Sequence, residues 1–372
     1  MNKISIKLGD VARECRQTWG DNQNGVPIVG LEHLVPGEIE LKSWDCDIEH
    51  SFSKKFTKGQ VLLGRRRVYL RKASVAPCDG ICSGDITVIE SSGGILPELL
   101  PFVIQNDRFF DYAMQGSAGS LSPRVKWEHL KNYEFSLPPL DEQKILADKL
   151  WAAYRLKESY KKLLAATEEM VKSQFIEMFG TIDKPKFTLN NLGNLCDIQR
   201  GGSPRPIKDY ITDDANGLNW IKIGDTDDSM YIVKTAEKIK PSGLKKTRQV
   251  YAGDLLLSNS MSFGRPYILK IDGCIHDGWL VLHIKDKSKL TQIYLCAFLS
   301  QKSSYYEMSK LAAGGVVQNL NSEIVKKLPV ILPPMEKQFE YISILQQADK
   351  SGFELRKSID AIDAVIKSLI NN

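Results

Sequence analysis

One short phrase occurs twice in this sequence and sets the organisation of the chain. It reads FSLPPLDEQKI at Phe135–Ile145 and VILPPMEKQFE at Val330–Glu340. The likeness extends upstream without a gap, so that Gly, Glu, Lys, Leu-Pro-Pro and Gln coincide in the stretches that begin at Gly119 and Gly314. A repeat this long is not a solenoid unit of about 20 to 50 residues. It indicates a domain that was duplicated together with the segment that follows it.

Other parts of the two halves also correspond in the same order. The matching pairs are Ile6–Val11 with Asn190–Leu195, Phe56–Lys72 with Val250–Lys270, and Asp79–Ile89 with Asp272–Ile284. Short β-branched and aromatic runs predict strands at Val61–Leu63, Val68–Leu70, Ile86–Ile89 and Leu255–Leu257. Apolar spacing predicts helices at Leu99–Met114 and Gln292–Lys310. We therefore expect each half to contain a mixed α/β domain, which gives an α+β fold overall.

A long helix is predicted after each proline pair. The tract Asp141–Phe179 contains no proline and no glycine, and Gly180 ends it. Its apolar residues recur every three or four positions, at Leu146, Leu150, Ala153, Leu156, Tyr160, Leu163, Met170 and Phe175. The second tract keeps a heptad seam that only Gly352 interrupts. Each helix should be about 55 Å long. We expect an antiparallel coiled coil, although each helix could instead pack separately on its own domain.

The predicted organisation is a first globular domain at 1–137, a central helix at 138–180, a second globular domain at 181–332 and a C-terminal helix at 333–372. Since the first helix leads into the second domain, an antiparallel pair would hold two similar domains apart, related by an approximate two-fold axis. Two DNA-reading domains at a set distance could recognise two short half-sites separated by a fixed spacer.

Composition permits a polyanionic partner without requiring one. The chain has 372 residues, a formal net charge of +5 and an apolar fraction of 42%, which is typical of a globular protein with two or three domains. No apolar run is long enough for a transmembrane helix, and the start lacks the apolar run of a signal peptide. The seven cysteines are scattered, so we interpret them as reduced thiols of a cytoplasmic protein.

The doubled module closely resembles the specificity subunit of Type I restriction-modification systems, over essentially the whole chain. The stretches that carry the resemblance, besides the two Leu-Pro-Pro boundaries, are Val26–Leu41, Lys58–Asp85, Ile198–Ile211, Leu218–Asp225 and Gly253–Ile268. The resemblance implies two target recognition domains, at 1–137 and 181–332, and two spacer helices.

The same resemblance implies the partners. They are double-stranded DNA with a bipartite site, two modification subunits that methylate adenine N6, and restriction subunits that translocate and cleave DNA. S-adenosylmethionine, ATP and Mg²⁺ would serve those partner subunits. The resemblance implies no cofactor and no catalytic activity in this chain itself.

The proline pairs do not form an amino-methyltransferase motif. Such enzymes place Asn or Asp before Pro-Pro and an aromatic residue after it, to hold and stack the flipped base. Here Leu137 and Leu332 precede the pairs, and Leu140 and Met335 follow them. A convincing S-adenosylmethionine loop, a Walker lysine motif, a nuclease motif and metal-ligand spacing of histidines are also absent from the sequence. We therefore predict no catalytic and no metal-binding residues.

Candidate DNA-binding residues cluster in loops and strand ends. The first half supplies Arg65, Arg66, Arg67, Arg71, Lys72 and Arg124. The second half supplies Arg200, Ser203, Arg205, Asn259, Ser260, Ser262 and Arg265, and Asn319 aligns with Arg124. On a strand, Arg65 and Arg67 would share one face and Arg66 the other. Arginine can bind guanine or a phosphate, and each of these stretches could instead be an ordinary solvated strand or turn.

Three further cations, Lys245, Lys246 and Arg248, could contact phosphates or be solvated. Two alternatives to a Type I specificity subunit stay open at this point. One is an interaction scaffold that uses the coiled coil to bind proteins and reads no DNA. The other is a specificity protein of a related defence system with a different modification enzyme.

Overall fold

The computed structural model describes residues 4–20, 23–117, 123–227, 229–259, 263–312 and 320–371. The chain divides into two compact units. The first unit is Met1–Leu163 with Leu355–Asn372, and the second unit is Leu164–Glu354.

Both units are built from short strands and short helices, together with parts of two long helices. The strands of the first unit are β1 Ile4–Lys7, β2 Ala12–Cys15, β3 Ile28–Val29, β4 Lys54–Phe56, β5 Val61–Gly64, β6 Ala73–Val75, β7 Gly80–Cys82, β8 Ile86–Ser91 and β9 Glu134–Leu137. Those of the second unit are β10 Leu189–Asn191, β11 Cys196–Arg200, β12 Ile211–Thr212, β13 Leu218–Ile221, β14 Tyr231–Ile232, β15 Glu237–Ile239, β16 Arg248–Val250, β17 Leu255–Ser258, β18 Pro266–Leu269, β19 Gly273–Ile275, β20 Trp279–Ile284 and β21 Pro329–Ile331. The helices are α1 Leu8–Val11, α2 Leu100–Ile104, α3 Asp107–Gln115, α4 Trp127–Leu130, α5 Leu140–Phe179, α6 Leu192–Leu195, α7 Gln292–Leu299, α8 Lys302–Ala312, α9 Ser322–Lys326 and α10 Met335–Asn371.

The two units repeat one topology. In the first unit, β2, β8, β5 and β6 form a sheet in that order, and β3, β7 and β4 form another. In the second unit, β11, β20, β17 and β18 repeat the first order with β14 added, and β13, β19 and β16 repeat the second with β15 and β12 added. Strand directions match as well, since β3–β7 and β13–β19 are parallel whereas β4–β7 and β16–β19 are antiparallel. The predicted duplication and the α+β class are confirmed.

In each unit, an inner strand of the sheet that contains β5 or β17 is buried on both faces. Val61 and Leu63 of β5 pack in one hydrophobic cluster and Leu62 packs in another. Leu255–Leu257 of β17 divide between two clusters in the same way. Successive side chains of a strand point to opposite faces, so a strand covered on both sides needs a continuous apolar run. This explains why the predicted strands at these two positions are confirmed.

Three other local predictions are wrong. Val68–Leu70 forms a 3-10 turn instead of a strand, because Arg67 and Arg71 on either side of it adopt left-handed backbone angles. Leu99–Met114 is not one helix, since α2 ends at Ile104 and the Asn106 side chain caps α3 by accepting a hydrogen bond from the Arg108 amide. The apolar stretch at Gln292–Lys310 is likewise divided into α7 and α8.

The helix α5 begins on the core of the first unit. Its buried positions are Gln143, Ala147, Leu150 and Tyr154, followed by Lys157, whose side chain is 12% exposed. Leu156, Leu163 and Met170, which the sequence placed on the buried stripe, are 45–51% exposed. The heptad spacing of the buried face is real, but polar residues occupy some of its positions and a purely apolar pattern overlooks them.

The long helices pack against each other within each unit. In the first unit, Ile366, Leu369 and Ile370 near the end of α10 pack on the cluster that holds the start of α5, and Lys157 Nζ lies 2.5 Å from Asp363 Oδ1. In the second unit, the ring of Phe175 near the end of α5 lies 5.1 Å from the ring of Tyr341 near the start of α10. In both units the start of one helix meets the end of the other, which is the predicted antiparallel order. Each helix also packs on a globular core, so the two packing modes weighed from the sequence occur together.

A buried glutamine explains the first copy of the repeated phrase. Gln143, 1% exposed, accepts a hydrogen bond from the Leu96 amide at 2.8 Å. Its amide group donates to the carbonyls of Gly94 at 2.8 Å and Pro138 at 3.0 Å. The side chain therefore fastens the first turn of α5 both to the Pro-Pro segment and to the loop that leads into α2.

The second copy repeats this arrangement. Gln338, 0% exposed, accepts from the Thr291 amide at 2.9 Å and donates to the carbonyls of Lys289 at 2.7 Å and Pro333 at 3.0 Å. Thr291 caps α7, the counterpart of α2. The phrase thus encodes a polar clamp between a long helix and its own globular domain, and the prolines end the preceding strand because they cannot donate to a sheet.

Candidate nucleic-acid interface

The triple arginine of the first unit follows the end of β5. The Arg65 amide donates to the Asp85 carbonyl at 2.9 Å, and the Arg65 carbonyl accepts from the Val125 amide at 3.0 Å. Arg66 and Arg124 form an isolated antiparallel bridge. The predicted cation Arg124, remote in sequence, therefore lies directly beside the triple arginine. This edge of the first unit, formed by residues 65–67, 83–85 and 123–126, is called the arginine edge.

Asp85 neutralises part of this edge. Its two carboxylate oxygens accept from Arg124 Nε at 2.7 Å and Nη2 at 3.3 Å, and Arg66 Nη1 lies 3.5 Å away. The hydrogen bond from Arg124 lowers the pKa of Asp85, so the carboxylate stays charged. The Arg66 and Arg124 side chains nevertheless remain 40% and 44% exposed, so a further anion or a base edge can approach both guanidinium groups.

The remaining cations of the first stretch differ in their surroundings. Arg67 is exposed and adopts a φ of 53°. Because β5 ends at Gly64, Arg65 and Arg67 do not share the face of a strand, and that prediction is wrong. Arg71 forms ion pairs with Asp107 at 2.5 Å and Asp111 at 2.8 Å, and Lys72 donates to the Leu31 carbonyl at 2.7 Å. Both of these side chains are therefore occupied within the first unit.

A cavity of about 540 Å³ adjoins the arginine edge. Its lining includes Arg65, Lys54, Lys126 and the aromatic rings of Phe52 and Trp127. The Nε of Arg65 is buried and has no hydrogen-bond partner among the described residues. Cationic and aromatic side chains around one recess suit the backbone and bases of a nucleic acid. Of the lining residues named here, only Arg65 was singled out from the sequence.

In the second unit, the loop that follows β11 lies on a turn between β19 and β20. The Gly201 amide donates to the Trp279 carbonyl at 2.9 Å and the Gly202 amide donates to the Ile275 carbonyl at 3.2 Å. A Cβ atom on Gly201 would lie 2.2 Å from the His276 carbonyl oxygen. The glycines therefore allow the backbone approach that the sequence predicted for this loop.

The predicted polar residues of the second unit meet at one residue of that turn, Asp277. Its carbonyl accepts from Arg200 Nε at 2.9 Å and Asn259 Nδ2 at 2.8 Å. Its carboxylate accepts from Ser203 Oγ at 2.5 Å and lies 3.8 Å from Arg205 Nη2. The hydrogen bond from Ser203 lowers the pKa of Asp277. Residues 200–205, 259 and 276–278 are called the aspartate edge.

Other predicted residues border the aspartate edge or lie outside the described residues. Arg265 is exposed, donates to the Asp227 carbonyl at 3.0 Å and stacks over the Tyr267 ring at 5.2 Å. Arg248 donates to the Arg200 carbonyl at 3.0 Å, and Lys246 donates to the Tyr210 hydroxyl at 2.9 Å. Ser260, Ser262 and Asn319 lie outside the part of the chain that the structure describes.

The two edges occupy the same backbone register. In the second unit the Asn259 amide donates to the Gly278 carbonyl at 3.0 Å and its carbonyl accepts from the Leu320 amide at 3.1 Å. Arg65 makes the same two types of bond in the first unit, with Asp85 in the place of Gly278 and Val125 in the place of Leu320. Asn259 therefore corresponds to Arg65, as the sequence alignment predicts. Neither Asp85 nor Asp277 was singled out from the sequence, although both lie in the matching Asp-Gly stretches of the two halves.

Three residues of the first unit lie close enough together to hold a metal ion, but their contacts have another explanation. Glu32, His33 and Asp45 bring ligand atoms within 4.8 Å of one another. However, His33 Nδ1 accepts a hydrogen bond from the Gly30 amide at 2.9 Å, and its Nε2 lies 3.4 Å from Asp45. An ordinary histidine–carboxylate contact accounts for the group. Elsewhere, none of the helices in the described ranges has an apolar stretch that could cross a bilayer.

Part of the chain is similar to a known domain family. Residues 186–362 match the model of the Type I restriction modification DNA specificity domain. The Type I restriction enzyme EcoDI specificity subunit of Escherichia coli is 30% identical over 121 residues, which cover 30% of this chain and 26% of that protein. The chain thus spans about a quarter of the length of this curated relative.

Solved structures share the fold over nearly the whole chain. A chain of a type I R-M system is similar with a TM-score of 0.62 at 20% identity, covering 99% of this chain and 96% of that one. The S subunit of a Type-I restriction-modification system from M. genitalium is similar with a TM-score of 0.60 at 10% identity, covering 100% and 95%. The fold that the resemblance implies is confirmed, and the match to the DNA specificity domain supports the resemblance over residues 186–362.

Proposed function

We propose that this chain, which carries a Type I DNA specificity domain over residues 186–362, is the DNA sequence-recognition subunit of a Type I restriction-modification complex. Each unit would read one half of a bipartite site. The observation that carries the proposal is the pair of edges. They share a backbone register but present different side chains, which are arginines in the first unit and Arg200, Ser203 and Arg205 in the second. The register residue of the second unit, Asn259, is buried and donates to the Asp277 carbonyl. Two different half-sites require this combination.

The exposed donors support contacts with DNA. Arg66, Arg124 and Arg205 are 40%, 44% and 81% exposed. Guanidinium groups bind phosphates for register and guanine for sequence. Backbone amides of the two edges are engaged in fixed hydrogen bonds, so the edges present their side chains on a preformed frame and little ordering is needed on binding.

We further propose that the long helices dock two modification subunits, and that restriction subunits join the complex. Leu156 and Leu163 of α5 and Phe339 and Phe353 of α10 are 46–62% exposed. Apolar side chains left exposed in this way are typical of protein-binding surfaces. S-adenosylmethionine, ATP and Mg²⁺ would be bound by those partners. The residues of this chain would recognise DNA without carrying out a chemical step.

The test is binding of the full chain to a library of random duplexes at several salt concentrations. We expect selection of a bipartite motif and an affinity that falls steeply with salt, because bound phosphates release counterions. The double variant Arg66→Ala/Arg124→Ala should lower the salt slope or relax one half-site. Arg155→Ala/Lys162→Ala, which removes two exposed cations of α5, is the charge-matched control. A chain that selects no motif and shows no salt dependence would be an interaction scaffold instead.

A further inference from the structure

Asp277 is an acidic residue at the centre of an edge that is otherwise basic and polar. Arg200, Ser203, Arg205 and Asn259 all contact it, through its carbonyl or its carboxylate. A carboxylate in a surface that faces DNA is repelled by phosphates. It must therefore either hold its basic neighbours in place or contact something on DNA other than a phosphate.

Asp85 in the first unit has the first of these roles. Its side chain is 19% exposed, and both of its carboxylate oxygens are engaged by Arg124 at 2.7 and 3.3 Å. Arg66 lies 3.5 Å from the second oxygen. A carboxylate that is covered and bonded in this way serves as a counter-charge for two arginines.

Asp277 is arranged differently. Its side chain is 46% exposed. The Ser203 hydroxyl donates to Oδ1 at 2.5 Å, which fixes the orientation of the carboxylate. Arg205 Nη2 lies 3.8 Å from Oδ2, beyond hydrogen-bond distance. Arg200 binds the main-chain carbonyl rather than the carboxylate. Within the described residues, Asp277 thus presents an oriented and accessible acceptor.

Base edges in the major groove offer donors that suit such an acceptor. Cytosine N4 and adenine N6 carry amino groups, and carboxylates accept hydrogen bonds from cytosine N4. Guanine O6 and N7 and thymine O4 are acceptors and would repel a carboxylate. The flanking guanidinium groups of Arg200 and Arg205 would lower the cost of bringing the negative charge close to DNA.

We propose that Asp277 is a specificity-determining residue that accepts a hydrogen bond from an exocyclic amino group of cytosine or adenine in the half-site of the second unit. The inference rests on the proposed function and deepens it. Ser203 acts as a positioning residue for the carboxylate, and Arg205 is available for an adjacent phosphate.

The experiment uses the full chain and the motif that the wild type selects from random duplexes. Each cytosine or adenine of one half-site is replaced in turn by 2-pyrimidinone or purine, which lack only the amino group. We expect one replacement to weaken wild-type binding roughly 5- to 100-fold, as for a good base contact. Whether the sensitive base is a pyrimidine or a purine identifies the amino group as that of cytosine or of adenine.

The variant Asp277→Ala should bind the intact site more weakly than the wild type does. Its affinity should not change further when the amino group to which the wild type is sensitive is removed. Its binding to non-cognate duplexes should stay equal or increase, because a negative charge has been removed. Asp277→Asn, which keeps the size of the side chain, should tolerate guanine or thymine at the same pair, since its amide can donate. Asp286→Ala is the matched control, because that side chain is 47% exposed and lies beyond the opposite end of β20.

Equal losses for the wild type and Asp277→Ala at every replacement would overturn the inference, as would a uniform loss of affinity for all duplexes in that variant. Either of those results leaves the proposed function intact, because the wild type would still select a motif. A wild type that selects none rejects both. Thermal melting of each variant confirms that it is folded before it is scored.

Discussion

Replacing Gln143 by leucine tests whether the repeated phrase encodes a clamp between a long helix and its domain. The substitution removes three hydrogen bonds of a side chain that is 1% exposed. It leaves the Leu96 amide and the carbonyls of Gly94 and Pro138 without this partner. An unsatisfied buried group costs about 1–3 kcal/mol, so we expect the first unit to lose about 3–5 kcal/mol of stability.

A glutamate at position 143 should make the stability of the first unit depend on pH. In Gln143→Glu the carboxylate would face the two carbonyls to which the amide group now donates. The folded state should therefore raise the pKa of the introduced group above its unfolded value of about 4.3. A raised pKa means that the native state binds more protons than the unfolded state. Stability is then retained at low pH and lost as pH rises, by up to about 1.4 kcal/mol per unit above pH 4.3 relative to wild type.

Hydrogen exchange of the full chain measures these effects unit by unit. Gln143→Leu should speed exchange of the Leu96 amide and of α2 by about 100-fold or more, with little change in α7. Gln338→Leu is the matched variant and should show the reverse pattern. Gln346→Leu, at an exposed position of α10, is the neutral control. Changes below tenfold, or equal changes in both units, would refute the clamp.

Three further predictions concern the DNA edge, a histidine and the helix pair. Alanine at Arg65–Arg67 should weaken DNA binding and relax only one half-site; unchanged selection at both half-sites in methylation mapping would contradict this. Burial lowers the pKa of His276, whose Nδ1 accepts from the Gly278 amide at 2.8 Å. The native state then binds fewer protons, so stability should fall as pH drops below about 6.5, and His276→Asn should lose that slope in urea titrations at pH 7.5 and 5.5. A double-mutant cycle of Lys157→Met and Asp363→Asn should give a coupling of about 1 kcal/mol; additive losses would mean that the 2.5 Å pair contributes nothing.

The duplication made most of the fold predictable. Matching phrases fixed the order of parts, and apolar runs such as Leu255–Leu257 located strands that are buried on both faces. Polar side chains caused two of the errors. Asn106 interrupts a continuous apolar pattern because its side chain caps a new helix. Likewise, Lys157 occupies a buried position of α5 because an aspartate meets it from α10. Hydrophobic spacing contains no signal for either event.

The sequence predicted many of the cationic and polar residues of the two edges. It did not predict which of their side chains contact each other. Arg124 contacts Asp85 across 39 positions, and Ser203 contacts Asp277 across 74. Such pairings depend on the order of strands in the sheet, which a single sequence does not encode locally. Asp85 and Asp277 themselves were not predicted, because an aspartate in a turn is usually explained by turn geometry alone. Asp85 follows β7 and Asp277 follows β19, and only the pairing of β7 and β8, and of β19 and β20, with their neighbours gives these two residues their surroundings.

The shared register explains how one scaffold can carry two chemistries. Arg65 and Asn259 occupy corresponding positions and carry different side chains. In both, the backbone amide and carbonyl are bonded to corresponding backbone groups of the surrounding segments, which form the frame of the edge. The frame is therefore stabilised by backbone hydrogen bonds. A change of an exposed side chain at either edge, such as Arg66 or Arg205, leaves these bonds in place. Core positions lack this freedom, because a buried residue such as Leu62 or Leu256 is 0% exposed and its volume is fixed by its neighbours. Substitutions that change the recognised bases are thus least costly at the edges, where donors and acceptors can be exchanged without repacking the core.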